Sequence, residues 1–411
     1  MESRPTKLKG LLLLLALAAI VAAGAAGRNI WQGKQEARLR TMSTTELEAL
    51  AKKQPASIPT LYALGVAYAQ EEKYPSAVKQ FLAILDKEPT RADVLNDLGV
   101  AYLLQARYYE ALVALQGALQ LRPNYAEAYA NMGRLHIATK MPFTAVKELE
   151  KADKLEPNSV ATLCDLGQAY QRTLNYRFAL TAFQRAIERD KKSVQSLVGA
   201  GQAYYAMTQY DKAEETLKQA IALAPSDANA LLALGRVQWE RAKSDEELKT
   251  VQETLERAIR ADQEEAEGWY MLGRVKSRQN KHKEALEMQR RALRISPEHT
   301  AALYQLERCL RAVGRTADAD RVAKIYEKRK LHGRRELQLE EMITHNTNDW
   351  DSRAELAQLY IESGKHALAV LLCKRIQEEK PDHPMLPKLL QALNTQATKT
   401  ESDALLQGAT P

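Results

Sequence analysis

A set of small, apolar and aromatic residues returns every 34 residues through most of this chain. Its first occurrence comprises Leu61, Leu64, Gly65, Tyr68, Ala77, Phe81 and Pro89. One period later, the corresponding set comprises Leu95, Leu98, Gly99, Tyr102, Ala111, Leu115 and Pro123. Self-similarity at a period of this length indicates an array of short structural units that stack on one another.

The spacing inside one repeat predicts two helices. The first four members of the set are separated by three, one and three residues, which places them on one face of a helix. Ala77, Phe81 and Ile84 mark a second helix in the same way, and Pro89 ends it because proline lacks an amide donor. Gly65 and Ala77 are small, so the two helices can approach closely. The sequence therefore predicts an all-α chain of stacked helical hairpins.

At these positions the chain resembles the tetratricopeptide repeat family, whose 34-residue signature has Leu-Gly, Tyr, Ala, Phe and Pro in this order and spacing. The resemblance covers residues 58–383 and returns in seven successive repeats. It implies a right-handed α-solenoid of stacked helix-turn-helix units that binds partner proteins in its concave groove. It does not indicate which partners these are.

The pattern divides the chain into segments. The sixth repeat is four residues longer around 242–246, which we expect to lengthen the turn between its helices. Beyond Pro297 the pattern decays, and a basic run at 324–335 is followed by a predicted helix at 336–344. The predicted segments are a basic N-terminus (1–9), an apolar helix (10–27), a linker with a capping helix opened by Ser43 and Glu46 (28–57), seven repeats (58–299), a degenerate repeat with a basic extension (300–349), a final repeat (350–383), a capping helix (384–395) and a disordered tail (396–411).

Residues 10–27 are uncharged and rich in Leu and Ala. As a helix they would span about 27 Å, close to the thickness of a bilayer core. We expect a single-pass N-terminal membrane anchor with the repeats outside the cytoplasm, in the periplasm or extracellular space. The alternative is a signal peptide cleaved near Ala23–Ala25, which would give a secreted protein.

The sequence lacks the common motifs of catalytic and phosphate-binding sites. It has no glycine-rich phosphate loop, no GxSxG turn and no HExxH motif. Cys164, Cys309 and Cys373 are far apart and are expected to be small core residues. We therefore expect no enzyme activity, no cofactor and no metal site. The net charge of +7 favours acidic partners or anionic surfaces.

The most informative position is the ninth of each repeat, directly after its glycine, because the family resemblance places positions 2, 5, 9 and 12 on the concave surface. From the third repeat onward this position holds only Arg or Gln. With two position-five tyrosines, the predicted partner-binding residues are Arg134, Gln168, Gln202, Arg236, Tyr270, Arg274, Tyr304 and Arg308. They form either a ladder that binds an extended peptide or a solvated helix face.

These features favour a non-enzymatic scaffold, tethered to a membrane through residues 10–27 or exported, that binds acidic or extended segments of partner proteins in its groove. One alternative is an architectural subunit of an envelope assembly or secretion complex that does not use the groove. Another is a regulatory module for a separate enzyme. The basic run at 324–335 has few aromatic residues, so we do not expect nucleic acid as a partner. The oligomeric state is left open.

Overall fold

The computed structural model describes residues 38–39 and 41–396, and over these residues it contains twenty α-helices and no strand. The chain forms two compact units, an N-terminal unit ending at Ala169 and a C-terminal unit beginning at Tyr170. The helices up to the boundary are α1 Thr44–Lys53, α2 Ile58–Gln70, α3 Tyr74–Leu85, α4 Ala92–Leu104, α5 Tyr108–Leu121, α6 Ala126–Ala138, α7 Pro142–Leu155 and α8 Val160–Arg172. The remaining helices are α9 Tyr176–Arg189, α10 Val194–Ala206, α11 Tyr210–Leu223, α12 Ala228–Arg241, α13 Asp245–Ala261, α14 Ala266–Arg278, α15 His282–Ile295, α16 Thr300–Ala312, α17 Thr316–His345, α18 Trp350–Glu362, α19 His366–Glu379 and α20 Leu386–Gln396.

The predicted all-α fold is confirmed for the described residues. From α2 onward, the even-numbered helices are the first helices of the repeats and the odd-numbered helices are the second, up to α19. Within each unit most helices pack against their neighbours in the chain, and several first helices also pack against each other. The predicted apolar helix at 10–27 lies outside the described residues. None of the described helices is long and apolar enough to cross a bilayer.

The repeat glycine sets the distance between the two helices of a hairpin. A Cβ placed on Gly65 would lie 2.7 Å from Cε1 of Phe81, and one placed on Gly201 would lie 2.6 Å from Cγ of Leu217. Carbon atoms in contact are normally separated by about 3.5–4.0 Å. The predicted close approach is therefore confirmed, and the second helix occupies the space that a larger residue would need.

A three-residue turn joins the helices of most hairpins, and its middle residue adopts a left-handed conformation. In the first such turn, Glu72 has φ +61°, and the amide of Lys73 donates to the carbonyl of Tyr68 at 2.8 Å. This pairing back to the last turn of the helix satisfies a carbonyl that would otherwise lack a partner. The same position holds Leu174 and Thr208, also with positive φ.

The sixth repeat differs, and the prediction of a longer turn there is wrong. Only residues 242–244 separate α12 from α13, the same number as in the other turns. The four additional residues extend the helices instead, one in α12 and three in α13. In place of the left-handed turn, the hydroxyl of Ser244 accepts from the amide of Glu247, whose carboxylate accepts from the amide of Ser244. This capping box starts α13 directly, because it satisfies two free amides at the helix N-terminus.

The predicted basic run and the helix expected at 336–344 are parts of one 30-residue helix, α17. This helix packs against both α16 and α18. Near its middle, Arg335 donates two hydrogen bonds of 2.6 Å to the carboxylate of Glu355 on α18. Part of the positive charge in this run is therefore neutralised inside the chain.

Both ends of the described array are closed by single helices. The predicted capping box at Ser43 and Glu46 is present at the start of α1, and Leu47 on that helix is buried beside Leu64. At the other end, Leu389 of α20 is fully buried. The three cysteines are free and buried, as predicted.

Candidate functional site

The candidate site is the set of residues at positions 2, 5, 9 and 12 of the first helices, here called the first-helix face. Position nine separates into three groups. Arg134 is buried, Gln168, Gln202, Arg236 and Arg274 are half-buried, and Arg308 is exposed.

Arg134, in the N-terminal unit, is only 6% exposed and is held by its own chain. Its Nε donates to Asp165 at 2.6 Å, and its Nη1 donates to Oδ1 of Asn131 at 2.6 Å. Asn131 in turn donates to Asn96 at 2.8 Å, so a chain of buried polar groups links three first helices. Burial raises the pKa of Asp165, although the guanidinium opposes this. Arg134 is thus committed to a structural pair and presents no free face to a partner.

Arg236, in the C-terminal unit, is also neutralised. It forms an ion pair with Glu267, which lies on the first helix of the next repeat. The other carboxylate oxygen of Glu267 lies 3.0 Å from Nε2 of His299, while Nδ1 of His299 accepts from the amide of Ala302 and caps α16. Burial would raise the pKa of Glu267, but the hydrogen bond from His299 and the charge of Arg236 lower it to about 2.

Arg274 and Arg308 lack such a counterion among the described residues. The guanidinium of Arg274 lies 4.5 Å from the ring centre of Trp239 and 5.8 Å from that of Tyr270. It also donates a hydrogen bond to the sulfur of Met271, at 3.6 Å. The guanidinium of Arg308 lies 5.8 Å from the ring centre of Tyr304.

The difference between the paired and unpaired arginines has a simple origin. Arg134 and Arg236 each pair with an acid on the next first helix, Asp165 at position six and Glu267 at position two. In the repeat after Arg274, position six holds Gln305 and position two holds an alanine. In the first helix after Arg308, these positions hold Asp351 and Glu355, which contact His383 and Arg335 instead. The two later arginines therefore keep an unneutralised charge on an aromatic surface, where cation–π contact orients them.

Trp239 was missed by the sequence analysis. It occupies position 12 of the sixth repeat, and both Arg274 and Arg278 lie over its ring, the latter at 5.3 Å. Arg278 also donates to the carbonyl of Ala242 at 2.8 Å, which closes the end of α12. The signal was available, because the family resemblance places position 12 on the concave surface beside position nine.

Tyr270 and Tyr304 occupy position five of consecutive repeats. The ring of Tyr270 packs on that of His299 at 4.8 Å, and burial raises the pKa of its hydroxyl. Tyr304 is 43% exposed and packs on Tyr326 at 5.5 Å. The C-terminal unit therefore brings together four of the eight predicted residues, Arg274, Tyr270, Arg308 and Tyr304, and adds Trp239 and Arg278. Within the described residues, no group of histidine, cysteine or acidic side chains could hold a metal ion.

Models of known families recognise this pattern of helical hairpins. A model described as TPR repeat matches residues 201–241, and two models described as tetratricopeptide repeat match residues 266–299 and residues 62–126 and 164–206. The predicted repeats are confirmed at these positions. A search of curated proteins found no match to the sequence.

Several solved structures are similar in fold. A tetratricopeptide repeat protein from Parabacteroides merdae is 18% identical over 65% of this chain and 99% of its own, with a TM-score of 0.52. The PilF protein of Pseudomonas aeruginosa is 17% identical over 51% of this chain and 94% of its own, with a TM-score of 0.43. A thermophilic repeat protein from Thermus thermophilus is 18% identical over 45% of this chain and 99% of its own, with a TM-score of 0.41. The likeness to the Parabacteroides protein supports the stacked-hairpin fold and leaves the binding partner to the chemistry of the site.

Proposed function

We propose that this chain of tetratricopeptide repeats is a non-enzymatic scaffold that holds extended, acidic segments of partner proteins on its first-helix face. Arg274 and Arg308 support this proposal, because both guanidinium groups lie on aromatic rings and lack a carboxylate partner in the described structure. Repeat proteins of this kind generally position other proteins and do not catalyse reactions. A groove of stacked first helices gives such a protein an extended surface.

The charge of the site favours an acidic ligand. Arg274 and Arg278 are four residues apart on α14, where like charges repel each other across one helical turn. A carboxylate between them would remove this repulsion and could accept two parallel hydrogen bonds from one guanidinium. Stacking on Trp239 orients the two side chains before the ligand arrives, which lowers the entropy lost on binding. Gln202, half-buried at the same repeat position of the C-terminal unit, could pair with the backbone of an extended segment.

We also propose that residues 10–27 tether the chain to a membrane, with the repeats outside the cytoplasm. The support for this is the uncharged composition of the segment and its length. A tether would raise the local concentration of the site near membrane-bound partners. N-terminal sequencing of the mature protein tests for cleavage, and protease treatment of intact cells tests the orientation. Repeats protected from external protease would refute the proposed orientation.

Binding is tested with a fluorescent peptide in which glutamates are separated by glycine and serine, and with its glutamine counterpart, by fluorescence anisotropy. We expect the full chain to bind only the acidic peptide. Changing Arg274 and Arg308 together to Glu should weaken binding by at least about 100-fold, because each charged hydrogen bond contributes about 1.5–3 kcal/mol.

The matched control is Lys249→Glu, which makes the same kind of charge change at an exposed position of the second helix α13. It should bind the acidic peptide as tightly as the wild type does, apart from the general effect of the lower net charge. Circular dichroism checks that each variant is folded. If the double variant binds the acidic peptide as well as the wild type does, the first-helix face is not the binding site. The architectural alternative, in which other surfaces make the contacts, would then be favoured.

A further inference from the structure

Arg274 and Arg308 occupy the same position of consecutive repeats, on helices α14 and α16, which pack against each other. Helices in contact have axes about 8–10 Å apart. The position-five rings, Tyr270 and Tyr304, repeat with the same spacing. The C-terminal unit therefore presents a cation and an aromatic ring on each of two neighbouring helices, whose axes are about 8–10 Å apart.

This spacing discriminates among peptide conformations. A polyproline II helix has three residues per turn and rises about 3.1 Å per residue, so side chains three positions apart lie on one edge, about 9.3 Å from each other. In a β-strand, side chains two positions apart lie on one face but only about 6.7 Å from each other. Those four positions apart are about 13 Å from each other. Of these spacings, only that of polyproline II lies within the roughly 8–10 Å that separates the axes of neighbouring helices.

The aromatic rings favour the same conformation. Polyproline II segments have no internal hydrogen bonds and dock in grooves lined with aromatic side chains, where their rings pack on flat surfaces. Trp239, Tyr270 and Tyr304 provide such surfaces beside the two arginines. Tyr304 in particular is 43% exposed, so its ring is accessible.

Building on the proposed function, we infer that the site formed by Trp239, Tyr270, Arg274, Tyr304 and Arg308 takes a proline-rich segment in the polyproline II conformation, with two acidic residues three positions apart. The first carboxylate pairs with Arg274 and the second with Arg308. Prolines between the two acidic residues pack against the tyrosine rings. A segment of this kind loses little conformational entropy on binding because proline has already fixed its backbone.

The test uses labelled octapeptides made of six prolines and two glutamates, which differ only in whether the glutamates are two, three or four positions apart. Proline holds each peptide in the same extended helix, so the charge spacing is the only variable. We expect the full chain to bind the three-apart peptide about tenfold more tightly than either of the others, as measured by fluorescence anisotropy. Arg308→Gln should abolish this preference, whereas Lys249→Gln should preserve it.

The outcomes separate this inference from the proposed function. Equal affinities for all three proline peptides, or tightest binding of the two-apart or four-apart peptide, would overturn the inference. In that case, binding of the flexible glycine-serine peptide would still uphold acidic capture by this face. Failure of every acidic peptide to bind the folded chain would overturn both. A preference for the three-apart peptide that persists in Arg308→Gln would show that this residue does not set the spacing, and would also refute the inference.

Discussion

The buried pair of Arg134 and Asp165 gives a stability prediction that can be worked out from the structure. The two side chains are 6% and 1% exposed, and the guanidinium is the hydrogen-bond donor to one oxygen of the carboxylate, at 2.6 Å. Arg134→Met keeps the apolar stem and removes the charge, which leaves Asp165 buried without a counterion. Breaking a buried pair in this way costs about 3–5 kcal/mol. We expect a loss of this size in the free energy of unfolding, measured by urea denaturation with circular dichroism near neutral pH.

The pH dependence identifies the cause of this loss. Burial already raises the pKa of Asp165 in the wild type, and without Arg134 the pKa should rise further. A raised carboxyl pKa destabilises the folded protein as pH rises, because the group must ionise in place. Arg134→Met should therefore recover stability relative to the wild type as the solution is acidified from neutral pH toward the ordinary pKa of an aspartate, about 3.9.

A double variant, Arg134→Met with Asp165→Leu, supplies the control, because it removes both charges. It should regain at least half of the lost stability. If Arg134→Met costs less than about 1 kcal/mol at neutral pH and shows no recovery in acid, the pair is not structural. Arg134 would then again be a candidate for partner binding.

Two further predictions concern the C-terminal unit. Because Glu267 has its pKa lowered to about 2 from 4.5, it stabilises the fold above pH 4.5. It loses this contribution, up to about 3 kcal/mol, as pH falls from 4.5 to 2. Glu267→Gln should reduce the fall in the free energy of unfolding between pH 4.5 and 2. An unchanged fall would show that Glu267 is not its cause. Gly201→Ala places a Cβ 2.6 Å from Leu217 and should destabilise by about 1–3 kcal/mol. Gly333→Ala, which meets nothing within 4 Å on its helix, should stabilise by up to about 1 kcal/mol; equal thermal shifts would refute the packing argument.

The hairpin fold could be predicted because the same helical spacing of apolar and small residues returns in each repeat. A three-residue turn needs only one residue that tolerates positive φ, and the sequence fills it with Glu72 in one repeat and Leu174 in another. The extra residues of the sixth repeat were assigned to the turn because the helix-start pattern of Ser244 and Glu247 was overlooked. That pattern predicts an extended α13 and leaves the turn short, as found.

The candidate site was predicted less completely, for a different reason. Position nine returns in every repeat, directly after the repeat glycine, so the sequence identifies the face on which Arg134 and Arg274 lie. Whether an arginine on that face is free depends on a second residue, at position two or six of the next first helix. Asp165 neutralises the first of these arginines, and Gln305 leaves the second one free. The repeat period alone does not contain this information, because it depends on pairs of residues from neighbouring first helices.

If a counterion on the next first helix decides which arginine is free, ligand binding can be weakened without altering any residue that touches the ligand. Gln305→Glu places a carboxylate at the repeat position where Asp165 pairs with Arg134, so it should form an ion pair with Arg274. An acidic peptide would then have to displace this internal partner, and its affinity should fall about tenfold, or about 1.4 kcal/mol. Gln305→Leu removes the amide without adding charge and should bind like the wild type. Unchanged affinity in Gln305→Glu would show that the counterion does not decide which arginines receive a partner. The effect should also weaken at high salt, because a half-exposed pair is screened by ions.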